Sequence, residues 1–488
     1  MRLDAIAAWF FAPATQTRGQ RLTRAYLVAV AGAGVAVWMY VLGFGRASLD
    51  FHDWADITIP RLTFLQEAIR AGELPLHMER SNALHGLTGR FLAIPDVITT
   101  PQLLLLTMVS IPTFVLVDVA IHYALGVLGL LALRRYFDWS LFAFTIAFLL
   151  ILFNGHVLAH YSVGHFTWGS YFLFPFIALV LFRFLDGESS WKLLAWFAVT
   201  IFYMMLAGGE HHVTWTLLLI AVLVPFCWSR AGWLLRAIAA AVLLSAVRLL
   251  PPALELQSFK DAGFITDVTG YPSLWHLLTA LVSLRREVAV PHTELPANLV
   301  WFDQRFWEFN VYVGAVGLAM IVFGVYLWLR AERPRYPQLI VPLFAVAALS
   351  MGSLFRLPRW SGVPLLQGER ATSRMFALVL VFLVILAVTH LDRWLRDAFD
   401  KTVLTRAHGV ALAALTFMAI DISASVRLQR VAISSGLFEP IPFNAAVLSH
   451  VTDPIYSRVL LAGLLVSLSS AALLAVLVWR ERQSAQSA

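Results

Sequence analysis

"YLVAVAGAGVAVWMYVLGFGRASLDFHDWAD", residues 26–56, runs from a stretch with no charge through Arg46 into Asp50, Asp53 and Asp56. Residues 26–44 match the roughly 20 apolar residues that an α-helix needs to cross a bilayer. Carboxylates at the lip of such a span face water or serve a site, because ionisable groups are expensive deeper in the hydrocarbon. The stretch therefore reads as a first membrane span that delivers an acidic loop to the bilayer surface.

The rest of the chain repeats the apolar half of that pattern. Of 488 residues, 60% are apolar and 13% charged, and the mean hydropathy of +0.76 is far above that of a water-soluble domain. Twelve apolar runs are expected to span, at 26–44, 113–133, 139–156, 166–184, 192–208, 212–228, 235–250, 310–329, 338–352, 375–391, 408–423 and 459–479. No alternating strand pattern accompanies them, so helices must satisfy the backbone inside the bilayer. The expected fold class is all-α, a polytopic membrane helical bundle of about twelve spans whose outer loops carry short amphipathic helices.

Lys and Arg concentrate in short segments such as Arg134-Arg135, "RAERPR" (330–335) and "DRWLRDAFDKTVLTR" (392–406), which places these on the cytoplasmic side together with both termini. Arg18, Arg21 and Arg24 precede the first run, which reads as an uncleaved span and not as a signal peptide. The long segments 45–100, 251–309, 353–374 and 424–457 then lie outside. Inner loops are short and no G-x-x-x-x-G-K-[ST] occurs, which argues against a cytosolic nucleotide-driven machine. Cys227 is the single cysteine and excludes an intramolecular disulfide. The formal charge of +7 suits anionic membrane lipids as partners and implies no nucleic acid. The organisation expected is a cytoplasmic segment 1–25, a transmembrane catalytic module 26–391, and C-terminal spans with a short cytoplasmic tail, 392–488.

Three local features are predicted in the outer segments. "DITIPRLTFLQEAIRAGELP" from Asp56 reads as an amphipathic helix with Pro60 in its first turn, stopped by Gly72 and Pro75 and able to lie on the membrane surface. Residues 101–133 are too long for one span and are broken by Pro101 and Pro112, which suggests a surface or re-entrant helix ahead of the span. "PSLWHLLTALVSL" (272–284) reads as another short surface helix.

Seven stretches, taken in order, resemble the YfhO-type membrane proteins: "DWADITIP" (53–60), "GELPL" (72–76), "HYSVGHFTWGSYFLFPFIAL" (160–179), "AGGEHHVTW" (207–215), "LLPPALELQ" (249–257), "YVG" (312–314) and "RATSRMF" (370–376). The chain departs from the family pattern at Gly209-Glu210, where His-Pro is frequent, and at Thr372, where Pro is usual. The resemblance implies a GT-C glycosyltransferase architecture, in which a bundle moves sugar from a polyprenyl-phosphate carrier to a glycan or lipid acceptor on the outer face. Asp53 matches the family's outer-loop Asp, and the resemblance makes it the base that takes the acceptor's proton. Apolar Phe51 and Trp54 beside it are expected to raise its pKa. Asp56 is the second catalytic candidate and equally suits the cap of the helix that follows.

The carrier phosphate calls for arginine forks. Arg370 and Arg374, expected on one helix face at the end of a span, are the first choice, and Arg285 and Arg286 the second; snorkelling to lipid headgroups is the plain alternative. His52, His160, His165, Glu210, His211 and Trp168 are expected to line the acceptor side of the cavity, with Trp168 offering a face to a sugar ring. These histidines, with His156 and His212, also suit a divalent metal, but a hydrogen-bonding polar wall accounts for them without one, and no metal ligand is assigned. Asp118 and His122, spaced i,i+4, and Asp421 are ionisable residues within spans and keep open a transporter or flippase for lipid-linked sugars. A non-catalytic envelope assembly factor is the third alternative.

Overall fold

The computed structural model describes residues 3–15, 20–79, 82–256, 270–284, 306–399, 406–434 and 449–487. Among them there is no strand, only one antiparallel bridge between His77 and Arg90, and the chain is an all-α membrane bundle. Nine of the described helices are long and apolar enough to cross a membrane, or ten if the pair Pro337–Leu349 and Ser353–Arg359, bent by 101°, counts as one broken span. Each of the twelve apolar runs carries helix, but helix and span are not equivalent here. Trp191–Leu206 has 16 residues, short of the ~20 that span alone. Residues 212–228 and 235–250 lie mainly on two helices, Glu210–Leu223 and Ala231–Leu244, separated by the 3-10 turn Val224–Arg230 with a non-helical kink at Cys227 (φ −127°).

Burial orders the bundle from centre to rim. Thr372–Asp397 and Leu141–Val163 have 89% of their most apolar window buried in protein, whereas Gln20–Val41 and Pro454–Gln486 have 17% and present their apolar faces outward. A central helix must be approached closely by its neighbours. At Gly324, a Cβ would stand 2.4 Å from the Ala387 carbonyl oxygen, so the absence of a side chain lets Gly314–Arg330 lie against Phe376–Phe399. Serine and asparagine start several helices by accepting a backbone N–H in the first turn: Ser110 from Thr113, Ser140 from Ala143, Asn154 from Val157 and Ser190 from Leu193.

The helix predicted after Asp56 forms as Ile59–Ala71, with Pro60 in its first turn and Gly72 closing it in the left-handed region at φ 70°. Its position differs from the expected one. Leu62, Phe64, Leu65 and Ala68 are buried in protein, where Phe91 meets Phe64 at 4.8 Å between ring centroids and the turn Pro101–Thr107 packs along the helix. Arg61 ties the helix to the following segment by donating from Nε to the Ala83 carbonyl (2.7 Å) and from a terminal N–H to the Asp96 carbonyl (2.9 Å). One face of the helix is thus a wall of the protein, while Glu67 and Arg70 on the helix remain exposed. Ahead of the span Ile111–Phe137 a separate 3-10 turn, Pro101–Thr107, forms where Pro101 and Pro112 break the run. The short helix Leu274–Val282 also forms, with Leu274 and Trp275 exposed.

Candidate functional site

Asp53 owes its position to a glycine distant in sequence. The helix Gly155–Val163 ends at Gly164 in the left-handed region, φ 99°, and a Cβ there would stand 2.2 Å from the Trp54 amide nitrogen. Only glycine permits both the conformation and the contact. The segment carrying Asp53 is then fastened to that helix end: the Thr58 hydroxyl donates to the Gly164 carbonyl (2.8 Å), and His52 Nδ1 lies 3.2 Å from the Val163 carbonyl. Gly164→Ala is expected to lower stability by about 1–3 kcal/mol through backbone strain alone. Thermal unfolding of the detergent-solubilised protein measures this, and an unchanged midpoint would contradict the close approach.

Two imidazoles hold the Asp53 carboxylate. His52 Nδ1 is 3.1 Å from Oδ1 and His165 Nε2 is 2.9 Å from Oδ2, while the Asp53 side chain keeps 28% of its surface exposed. Burial favours the neutral acid, but the hydrogen bonds and charges of His165 and His52 outweigh it and hold Asp53 far below the usual carboxylate range. The expected rise in its pKa is therefore corrected to a fall, because the two histidine partners dominate over Phe51 and Trp54. For His52, burial favours the neutral ring, and the Asp53 hydrogen bond and charge, the Val163 carbonyl and the Asp56 charge overcome it, raising its pKa.

The sign of the pH dependence follows from these two shifts. His52 contributes fully below its ordinary value of about 6.5 and is lost as pH rises through its raised value; Asp53 contributes fully above about 4 and is lost only as pH falls through its depressed one. The pair should be tightest between those limits. NMR titration of His52 should give a midpoint above about 6.5 that drops in Asp53→Asn; a wild-type midpoint at or below the ordinary value would refute the pairing.

Behind Asp53 the polar groups continue inward. His165 Nδ1 and His160 Nδ1 are 2.6 Å apart, so one donates to the other. The His160 ring stacks on Trp168 at 4.2 Å between centroids, and the Trp168 indole N–H donates to His156 Nε2 at 2.9 Å. That ring nitrogen accepts, so His156 is neutral. Arg374 covers Trp168 at 4.9 Å, forks onto the Glu308 carboxylate through Nε and a terminal nitrogen, and brings its other terminal nitrogen to 3.5 Å from His211 Nε2. His211 Nδ1 lies 2.6 Å from Glu369, and its Nε2 3.6 Å from Glu210. His212 turns to the other side and pairs with Ser170 at 2.7 Å. The result is one polar cluster reaching from partly exposed Asp53 to buried Glu369.

Several expected residues meet here and several do not. Asp53, His52, His160, His165, Trp168, Glu210, His211 and Arg374 are brought together, although their sequence positions span most of the chain. Trp168 is 5% exposed and already stacked by His160 and Arg374, which corrects its reading as an open sugar platform. Asp56 accepts no hydrogen bond among the described residues and caps nothing: the turn Trp54–Thr58 runs directly into Ile59–Ala71, and neither start has a side-chain cap. Its charge acts on His52 instead. Arg370 and Arg374 do not share a helix face, because Arg370 lies exposed before the 3-10 turn Thr372–Met375 that carries Arg374. Arg285 and Arg286 lie outside the described residues. Asp118 and His122 are fully buried and pair at 3.1 Å, with Gln102 donating to Asp118 at 2.8 Å, an arrangement that satisfies a helix-packing role.

Glu308 and Glu369 were not singled out in the sequence, yet they are the anions that Arg374 and His211 contact. Glu308, in "FWEFN" at the head of an apolar run, carried a readable signal, since an acid there needs a partner. Glu369 immediately precedes "RATSRMF" in a loop-like stretch, where an acid beside an arginine carries no distinguishing signal. Among the described residues no group of three or more His, Cys, Asp or Glu is arranged to hold a metal ion. No family model matches the chain, and no curated protein matches it.

Proposed function

We propose that the chain is a GT-C-like glycosyltransferase with about twelve spans in a bacterial cytoplasmic membrane, its site on the outer face. It moves sugar from a polyprenyl-phosphate donor to a lipid- or envelope-linked glycan. One observation carries the reading: an ionised, partly exposed Asp53 carboxylate sits at the mouth of a buried polar cluster that also contains Arg374. The ordered motifs resembling YfhO-type proteins support it, since "DWADITIP" and "HYSVGHFTW" meet in space around Asp53.

In this reaction an acceptor hydroxyl hydrogen-bonds to Asp53 and its oxygen attacks the anomeric carbon. The new C–O bond forms as the bond to the phosphate oxygen breaks, and the electron pair leaves with polyprenyl phosphate. Asp53 receives the proton late, as bonding to the anomeric carbon acidifies the hydroxyl, and its exposure allows loss of the proton to water. His52 and His165 orient the carboxylate. Arg374, whose fork is closed on Glu308, offers its remaining terminal N–H groups beside His211 to the departing phosphate.

The test is reconstitution in liposomes with a polyprenyl-phosphate sugar labelled in the sugar. Release of polyprenyl phosphate in step with labelled acceptor is expected. Movement of the intact labelled lipid between leaflets without bond cleavage would instead identify a flippase, and neither event would leave the assembly-factor reading.

A further inference from the structure

A pocket of about 590 Å³ opens beside the mouths of two candidate spans, away from the Trp168 cluster. One side is Ser48, just past Gln20–Val41, and the other is the turn through Met108, Val109 and Ser110 that enters Ile111–Phe137. The two mouths lie at the same level, because a Cβ on Gly45 would stand 3.4 Å from the Thr113 Cα. The third wall is the helix Ile59–Ala71. Its residues Ile59, Gln66 and Arg70 all line the pocket, and their spacing of seven and four places them on one helical face. Gln66 fixes the opposite wall by donating to the Leu106 carbonyl (2.6 Å) and the Val109 carbonyl (3.2 Å).

The chemistry of this pocket is two-ended. Ile59, Met108 and Val109 make an apolar side, and Met108 and Leu104 next to it are 80% and 67% exposed. Exposed apolar side chains at the level of two span mouths are matched better by acyl chains than by water. Arg70, eleven residues along the helix from Ile59, supplies a cation and forms no ion pair among the described residues. The Ser48 hydroxyl is committed to Asp50 at 2.8 Å, so Arg70 is the group positioned to receive an anion. A molecule that satisfies both ends carries a phosphate on an apolar body. A free anion leaves the apolar wall bare, and a zwitterionic lipid brings its own cation to Arg70.

We infer that this pocket seats one anionic membrane phospholipid, its phosphate on Arg70 and its acyl chains passing over Met108 and Leu104. The inference does not depend on glycosyl transfer. It is tested by native mass spectrometry of the full chain in detergent, delipidated and titrated with phosphatidylglycerol, with phosphatidylcholine and inorganic phosphate as separate arms. Wild type should retain one phosphatidylglycerol in preference to phosphatidylcholine, and inorganic phosphate should not displace it. Arg70→Ala should weaken that binding tenfold or more, on the order of a lost charge-assisted hydrogen bond. Val109→Trp, which fills the pocket and keeps Arg70, should weaken it as well. Arg458→Ala, an exposed arginine near the start of another candidate span, should change nothing. Unfolding midpoints of the variants are compared first, and Arg70 is exposed enough for its removal to leave the fold intact. Equal phosphatidylglycerol binding by Arg70→Ala and wild type would overturn the inference. So would equal retention of phosphatidylcholine, while displacement by inorganic phosphate would reduce the site to one for free anions.

Discussion

Asp53→Asn is expected to reduce sugar transfer by a factor toward the lower end of the roughly 10²–10⁴-fold range that a positioned general base contributes, because a carboxylate held far below its usual range by His165 and His52 is a weak proton acceptor. The substitution is nearly isosteric, and Asp53 sits on a partly exposed segment held by Thr58 and Gly164 independently of its charge. Membrane insertion and protein amount should therefore stay close to wild type. The amide keeps one acceptor oxygen for His165 or His52 and turns its NH2 donor to the other, so one of the two imidazoles must change its tautomer or its contacts. Transfer is measured as labelled acceptor formed per protein in liposomes. Activity within a factor of about three of wild type, at equal protein, would remove Asp53 from the mechanism. A further outcome is informative at the adjacent imidazole: His165→Gln should lower the rate less than Asp53→Asn, because it disturbs the orientation of the base and leaves the base itself.

Arg374→Ala should have the second large effect, and its first consequence falls on stability. The Arg374 and Glu308 side chains are 12% and 8% exposed, and removing one member of a buried ion pair strands the other, typically at a cost of about 3–5 kcal/mol. Loss of donor binding in this variant alone would thus say little about the phosphate. The combined change Arg374→Met with Glu308→Leu separates the two effects. Replacing both charges with apolar groups of similar size is often nearly neutral for folding, so thermal unfolding of the double variant should return most of the way to wild type. Its apparent affinity for polyprenyl-phosphate sugar should remain poor. Donor affinity equal to wild type in the stable double variant would move the phosphate away from Arg374. Arg374→Lys should fall between, since an ammonium keeps the charge and loses the two-pronged geometry that meets Glu308.

Much of the architecture was legible because its causes are local or compositional. Runs such as 375–391 cannot remain in water, and at 60% apolar content the chain cannot be a soluble domain. Pro60 and Gly72 bracket the helix Ile59–Ala71 through their own backbone preferences, and Pro101 and Pro112 break the following run for the same reason. The number of crossing helices was less legible. A run of apolar residues does not fix where helices bend or break, as at 101° between Leu349 and Ser353 and at Cys227 between Glu210–Leu223 and Ala231–Leu244.

Composition and apolar runs suffice to make this chain an all-α membrane protein, and Asp53, the histidines after Asn154 and Arg374 stand out in it because charged and polar residues are conspicuous in an apolar chain. Their partners come from the folded arrangement alone. Arg374 meets Glu308 across 66 positions and His211 meets Glu369 across 158, and no periodicity encodes pairings at such separations. It also decided the direction of the Asp53 shift. Neighbours in sequence, Phe51 and Trp54, suggested a carboxyl stripped of water, while Gly164, by tolerating φ 99° and a close Trp54 amide, brings His165 onto the carboxylate. The physical reason is the short range of these forces: a hydrogen bond acts over about 3 Å, so the ionisation of a side chain is set by what the fold places beside it and not by what precedes it in the chain.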